Sequence, residues 1–196
     1  MKETKKLKLT SMDPTSYSDI EVECYVIKEM KDFVENYIEH LKNKGAFPRE
    51  AIKTATVEAR PAQIGEKVTT IPRVERDGKI YAISETENQV TIEGSMIVKN
   101  PDGEEYIVKP EIINDPNRYE KISEGVYKSV GAKPITFIII EDDIVFPAPW
   151  GGEMYALKGA ALNITNIERT YAIQNEAFNK TYKIISEKGK DSAIEK

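Results

Sequence analysis

Apolar residues recur at three- and four-residue intervals at Ile27, Met30, Val34, Tyr37, Ile38 and Leu41, which is the period of one helix face. Upstream, Ser18 and Glu21 have the form of a capping box, and Tyr17 with Val22 has the spacing of a hydrophobic staple. Lys42 and Lys44 suit the negative end of a helix dipole, and Gly45 supplies a left-handed cap. Together they predict one long amphipathic helix from about Asp19 to Lys44. Its stripe must be covered, either by the rest of the chain or by a second copy in a homodimer. After Pro48 the pattern shortens to β-like runs divided by turns, with Asp77-Gly78 and Asp102-Gly103 as hairpin signals. ITFIII, at Ile135 to Ile140, reads as a buried strand.

The chain then says nearly the same thing twice. YIVKPEIIN at Tyr106 to Asn114 resembles YAIQNEAFN at Tyr171 to Asn179. A shift of 65 residues carries Gly94 onto Gly159, Tyr106 onto Tyr171, Glu111 onto Glu176 and Asn114 onto Asn179 without a gap. Apolar positions follow, with Ile92 on Leu157, Ile97 on Leu162, Val108 on Ile173 and Ile113 on Phe178. Upstream, Ala59-Arg60-Pro61 finds Ala132-Lys133-Pro134; downstream, Tyr119 finds Tyr182. A rival shift of 49, GEEYIVK on GEMYALK, loses these flanking landmarks. Each copy reads as strands, a short helical turn and a last strand, with Pro110 at a first helical position and Asn175 as a cap. Glu111 and Glu176 then fall in first turns, where the helix dipole favours an acid.

The expected fold class is α+β: a long N-terminal amphipathic helix followed by two small β-rich modules. The segments are a helical 1–50, modules at 51–125 and 126–186, and a flexible tail at 187–196.

Composition narrows the chemistry. Cys24 and His40 are the only residues of their kinds, which removes an intramolecular disulfide, thiolate clusters and multi-histidine metal sites. In a straight helix they would lie about 24 Å apart, too far to form a nucleophile pair. No apolar run approaches the roughly 20 residues of a membrane span, and MKETKKLKLT lacks the apolar core of a secretory signal, so it reads as a short basic tail of a cytoplasmic protein. A net charge of −5 argues against general nucleic-acid binding. Neither a GxGxxG nor a GxxxxGK loop occurs, and no cofactor is implied.

TVEARPAQIGEKV from Thr56, EGSMIVKNPDGEEYIVKPE from Glu93 and RYE at Arg118 resemble the PGDYG family of small phage and bacterial proteins. The second half, from AKPITFIII through YAIQNEAFNKTY, resembles it too. The resemblance spans most of Thr56 to Tyr182 and implies a module without an assigned activity. The namesake motif has become Glu93-Gly94-Ser95-Met96 and Lys158-Gly159-Ala160-Ala161, so only the glycine is kept.

Two places could carry chemistry. Glu141-Asp142-Asp143 is the densest acidic cluster, although a strand would send alternate carboxylates to opposite faces, which disfavours a metal site. FPAPWGGEMY, at Phe146 to Tyr155, places the one tryptophan between prolines and glycines, making Trp150, Phe146, Tyr155, Gly151 and Gly152 the candidate contact residues. The expected function is non-enzymatic binding of a host protein or a small polar molecule. The alternative is a histidine-independent hydrolase or transferase working through Glu111, Asp142 or Asp143.

Overall fold

The computed structural model describes residues 3–15, 18–83, 88–130, 133–149 and 151–187. The chain opens as an antiparallel hairpin of β1 (Thr4–Ser11) and β2 (Ile20–Val26), running from Thr4 opposite Tyr25 to Leu9 opposite Ile20. This corrects the expected long helix. Ile20, Val22, Cys24 and Val26 alternate with Glu21, Glu23 and Tyr25, and this period of two buries one face of a strand. Glu21, the acid of the apparent capping box, pairs with Lys6 across the hairpin, as Asp19 does with Lys8; Tyr17 lies outside the described residues. The basic KKLK is no tail but part of β1, with Leu7 and Leu9 wholly buried.

Helix α1 (Met30–Asn43) starts only after this hairpin and closes at Gly45, whose φ of +73° is one glycine adopts freely. Its stripe is covered in cis. Val34 is fully buried, and Met30, Phe33, Tyr37, Ile38 and Leu41 pack with it on Ile138, Ile140, Ile144 and Phe146. The fold is therefore mostly β, built on three main sheets, and not α+β around a long N-terminal helix.

The remaining elements are β3 (Arg49–Lys53), β4 (Thr56–Pro61), β5 (Lys67–Thr69), β6 (Arg73–Arg76), β7 (Lys79–Ile83), β8 (Asn88–Val90), β9 (Met96–Lys99), β10 (Glu105–Val108), α2 (Pro110–Ile113), β11 (Tyr119–Ser123) and β12 (Val126–Ser129), followed by β13 (Ile135–Ile139), β14 (Ile144–Pro147), β15 (Glu153–Ala156), β16 (Ala161–Asn163), β17 (Tyr171–Ile173), α3 (Asn175–Thr181) and β18 (Tyr182–Glu187). A six-stranded sheet has the order β15-β14-β2-β1-β7-β6. Two five-stranded sheets have the orders β10-β9-β4-β12-β11 and β17-β16-β13-β3-β18, and β5 pairs with β8.

These two five-stranded sheets match strand for strand. Adding 65 to each number turns the β9·β10 pairs Val98↔Tyr106 and Ile97↔Ile107 into the β16·β17 pairs Asn163↔Tyr171 and Leu162↔Ala172. The same offset takes Pro110, which starts α2, to Asn175, which starts α3. The β11·β12 pairs Tyr119↔Ser129 and Lys121↔Tyr127 correspond to Tyr182↔Lys53 and Ile184↔Ala51 in β18·β3. A register break follows both at one place, leaving Ile122 and Ile185 as the extra residues of matching bulges.

The halves nevertheless do not stand as two separate modules, because their first strands are exchanged. β3 precedes β4 in the chain yet pairs with β13 and β18, while β12 precedes β13 yet pairs with β4 and β11. Each half is completed by the other.

The cores follow the same correspondence. Val57, Ala59, Val98, Ile113 and Tyr127 form one; Ala51, Phe137, Ala161 and Phe178 form the other. Large and small residues trade places. Tyr127 of the exchanged strand shares the first core with Ala59, whereas in the second core Phe137 takes the position of Ala59 and Ala51 that of Tyr127, so the strand pairing sets aside the sequence match of Ala59-Arg60-Pro61 with Ala132-Lys133-Pro134. Such a swap conserves volume, and close-packed interiors tolerate it. β13 is buried on both faces, Ile138 (with Ile140 just past its end) toward α1 and Phe137 toward α3, which is why the stretch reads as an apolar run.

Candidate functional site

A cleft of about 1250 Å³ opens where the three sheets meet. The β9–β10 turn supplies Asn100, Asp102 and Glu104; the segment before and into β6 supplies Thr70 and Arg73; β3 supplies Lys53. Tyr106, Tyr171 and Tyr182 line it from the matched sheets, and Gly151, Gly152, Met154 and Tyr155 line it from the β14–β15 hairpin.

The turn at Asp102-Gly103 is shaped to face this cleft. Gly103 has φ +87°, and a Cβ there would come within 2.7 Å of the Arg73 guanidinium. Glycine is thus needed for its left-handed backbone, and its missing Cβ lets the Arg73 guanidinium come this close. Arg73 Nη1 donates to the Asp102 carbonyl, and the Glu104 N–H donates to Asp102 Oδ1 at 3.2 Å. Asp102 is only 2% exposed, and its other carboxylate oxygen, Oδ2, has no hydrogen-bond partner among the described residues. Arg73 Nε and Thr70 Oγ1 are buried without partners in the same way. Buried polar atoms are nearly always satisfied, so three orphans on residues that line one cleft are a concentrated exception, each atom being closed off behind the surface of the cleft.

Electrostatics set the two neighbouring side chains apart. Burial pushes the Lys53 ammonium below the ordinary lysine range, against the pull of Glu104 and Asp102. Burial, helped by the Asp102 carboxylate, pushes Glu104 above the ordinary glutamate value, against an Asn100 hydrogen bond and the nearby Lys53 and Arg73. The Tyr106 hydroxyl donates to Asn100 Oδ1 at 3.4 Å, and burial raises the phenols of both Tyr106 and Tyr182, with further contributions from Tyr119 and Tyr171. The two matched tyrosine pairs thus converge where the half-sheets face each other. Gln174, also on the cleft, is fixed by donating to the Tyr155 carbonyl at 2.7 Å while accepting from the Leu157 N–H at 3.3 Å.

Of the residues singled out from the sequence, Gly151, Gly152 and Tyr155 lie on the cleft. Phe146 does not: it is 1% exposed beneath α1. Trp150 lies outside the described residues. Tyr106 and Tyr171 are on the cleft, but the other landmarks serve the fold. Gly94 (φ +76°) and Gly159 (φ +89°) turn the chain against Pro110 and Asn175 respectively, the same contact in each half. Glu176 pairs with Lys180 on α3, while Glu111, Asn114 and Asn179 are exposed. Asn175 docks α3 on β6, its side chain exchanging hydrogen bonds with the N–H and C=O of Glu75 at 3.0 and 2.8 Å.

The acidic cluster does not converge. Glu141 pairs with Lys44, Asp142 is exposed, and Asp143 pairs with Arg76 at 2.6 Å while accepting from the Lys158 N–H at 2.8 Å. Cys24 is buried in β2, and His40 is half-exposed on α1 at 3.9 Å from Glu141. Among the described residues, no three metal-binding side chains of the His, Cys, Asp and Glu types gather, and no helix is long and apolar enough to cross a membrane.

The sequence reading missed Lys53, Thr70, Arg73, Asp102 and Glu104. Asp102-Gly103 was legible as a turn, but nothing local told that the turn's carboxylate faces inward. Comparison with known proteins adds no relative: no protein-family model, curated protein or solved structure matches the chain. The likeness to the PGDYG family rests on the sequence alone.

Proposed function

We propose that this is a binding protein for a small polar molecule, held in the cleft between the three sheets. The observation that carries the reading is the cleft itself, where three sheets bring Lys53, Arg73, Asp102 and Glu104 together with Tyr106, Tyr171 and Tyr182. The volume exceeds that of an ordinary small-molecule site and leaves room for one with solvent beside it, and the lining mixes apolar side chains with a few polar groups, as such sites do. The single, buried cysteine fits a reducing, cytoplasmic setting.

Native mass spectrometry of the full chain purified from its natural host tests the reading. A stoichiometric small molecule, lost in Asp102→Ala protein that still folds, is the expected result. A bare polypeptide mass for the wild type removes the reading.

A second reading is favoured by the opposed shifts of Lys53 and Glu104. An amine pushed toward its neutral form beside an acid pushed toward its protonated form is a common arrangement for proton transfer. On that reading the protein is a histidine-independent hydrolase or transferase, its carboxylate being Glu104 in place of Glu111, Asp142 or Asp143. Conversion of the released ligand on prolonged incubation, abolished in Glu104→Gln, would favour it over simple binding.

A further inference from the structure

Lys53 is placed unlike the lysines of the surface. Lys5, Lys6, Lys8, Lys28, Lys31 and Lys44 each pair with a carboxylate. Lys53 lines the cleft and makes no side-chain hydrogen bond or ion pair among the described residues, yet its Nζ is not closed off as Asp102 Oδ2, Arg73 Nε and Thr70 Oγ1 are. The fold does not require a lysine there. Lys53 lies opposite Tyr182, and the matching position of the other half, opposite Tyr119, is the small Ser129.

Glu104 lines the same cleft. Its Oε2 accepts from Asn100 Nδ2 at 3.3 Å, and its Oε1 is likewise open. Its charge acts on Lys53 although the two side chains do not pair directly, so the amine and the acid are both left to a ligand. An amine that attacks must be neutral, and burial pushes the Lys53 ammonium below the ordinary lysine range. An acid that gives a proton must hold one, and burial, with Asp102, pushes Glu104 above the ordinary glutamate value. With Arg73, Asp102 and Glu153 also on the cleft, charge alone selects no ligand class; the open amine does.

Resting on the ligand-binding reading above, we propose that the cleft takes a small aldehyde or ketone and holds it as a Schiff base on Lys53, with Glu104 as the proton donor. The Nζ lone pair adds to the carbonyl carbon, the C=O π pair moves to the oxygen, and that oxygen takes the Glu104 proton. The carbinolamine nitrogen returns a proton to Glu104, which passes it to the hydroxyl; the C–O bond breaks, water leaves and the C=N bond forms. One amine, one carbonyl and the Glu104 proton give one protonated imine and one water, with the Glu104 carboxylate left as counter-ion.

Reductive trapping on the full chain tests this. Sodium cyanoborohydride turns an imine into a stable secondary amine, and glyceraldehyde, dihydroxyacetone and pyruvate serve as carbonyl probes. Intact mass counts the adducts and peptide mapping places them. The expected result is a single adduct on Lys53 with at least one probe, formed before the exposed lysines are labelled. Lys53→Arg should lose that adduct, and Glu104→Gln, which keeps the shape but not the proton, should slow it by about a hundredfold. Labelling spread over the exposed lysines with Lys53 no faster than they, or no trapping at Lys53 with any probe, overturns the proposal. Native mass spectrometry separates its fate from that of the broader reading: a released molecule without a carbonyl overturns the Schiff base alone, whereas a bare polypeptide mass together with failed trapping overturns both.

Discussion

Phe137 and Ala51 offer a test of the exchanged-strand architecture. Phe137 is fully buried and packs on Phe178 with ring centroids 4.7 Å apart, tilted by 48°. Truncating it to alanine removes the ring from a core that can relax only in part, which costs about 3–5 kcal/mol, the lost ring pair included. For a chain of this size, each kcal/mol moves the thermal midpoint by roughly 2–4 °C, so Phe137→Ala should lower it by roughly 6–20 °C. Ala51→Tyr in the wild type overpacks the same core and costs about 1–3 kcal/mol. The two changes together recreate the arrangement of the other half, where Tyr127 of the exchanged strand shares its core with Ala59. The double variant should therefore be more stable than Phe137→Ala alone, the coupling in a urea-denaturation cycle exceeding the cost of Ala51→Tyr by itself. Additive losses would refute the claim that the two cores are equivalent and that β3 and β12 have exchanged places.

Three other outcomes follow from the site and its supports. Asp102→Asn replaces an unanswered buried carboxylate oxygen with a neutral group, so the ligand-free protein should gain about 1 kcal/mol in urea denaturation while losing ligand affinity; a clear loss of stability would mean that the carboxylate is already satisfied. Glu104 has a raised folded-state pKa, so the native state keeps a proton that the unfolded chain releases, and stability falls as pH rises from the ordinary value of 4.5 to the raised one. Glu104→Gln should flatten that fall in urea midpoints measured across the range, while Lys53, whose folded value is lowered, should give stability that rises with pH up to 10.5 and is lost in Lys53→Met. Arg76→Met leaves Asp143, whose side chain is 13% exposed, with only the Lys158 N–H, and should cost about 3 kcal/mol by thermal denaturation.

The limits of the sequence reading have physical causes. The 65-residue offset could be found because Tyr106, Tyr171 and the glycines before them hold one register position and one turn conformation in each half. The hairpin at the start was hidden because Ser18 and Glu21 imitate a helix start, although Ile20, Val22 and Cys24 carry the period of a strand. A capping motif spans four residues and recurs by chance; alternation buried against Leu7 and Leu9 decides. The exchange of β3 and β12 leaves no local trace, since each strand keeps the same pattern whichever sheet receives it. The cleft was out of reach for a related reason. Lys53, Arg73 and Asp102 lie on three separate elements, and only the folded chain brings them together. Phe146 drew notice as an aromatic beside prolines, yet its alternation with Val145 marks a strand buried on both faces.

A crystal structure of the full chain, purified without added ligand from its natural host, tests the central claim most directly. The account predicts continuous density larger than water in the cleft, against Lys53, Glu104 and Tyr106. Separate ordered waters, with no other density in the cleft, would contradict it.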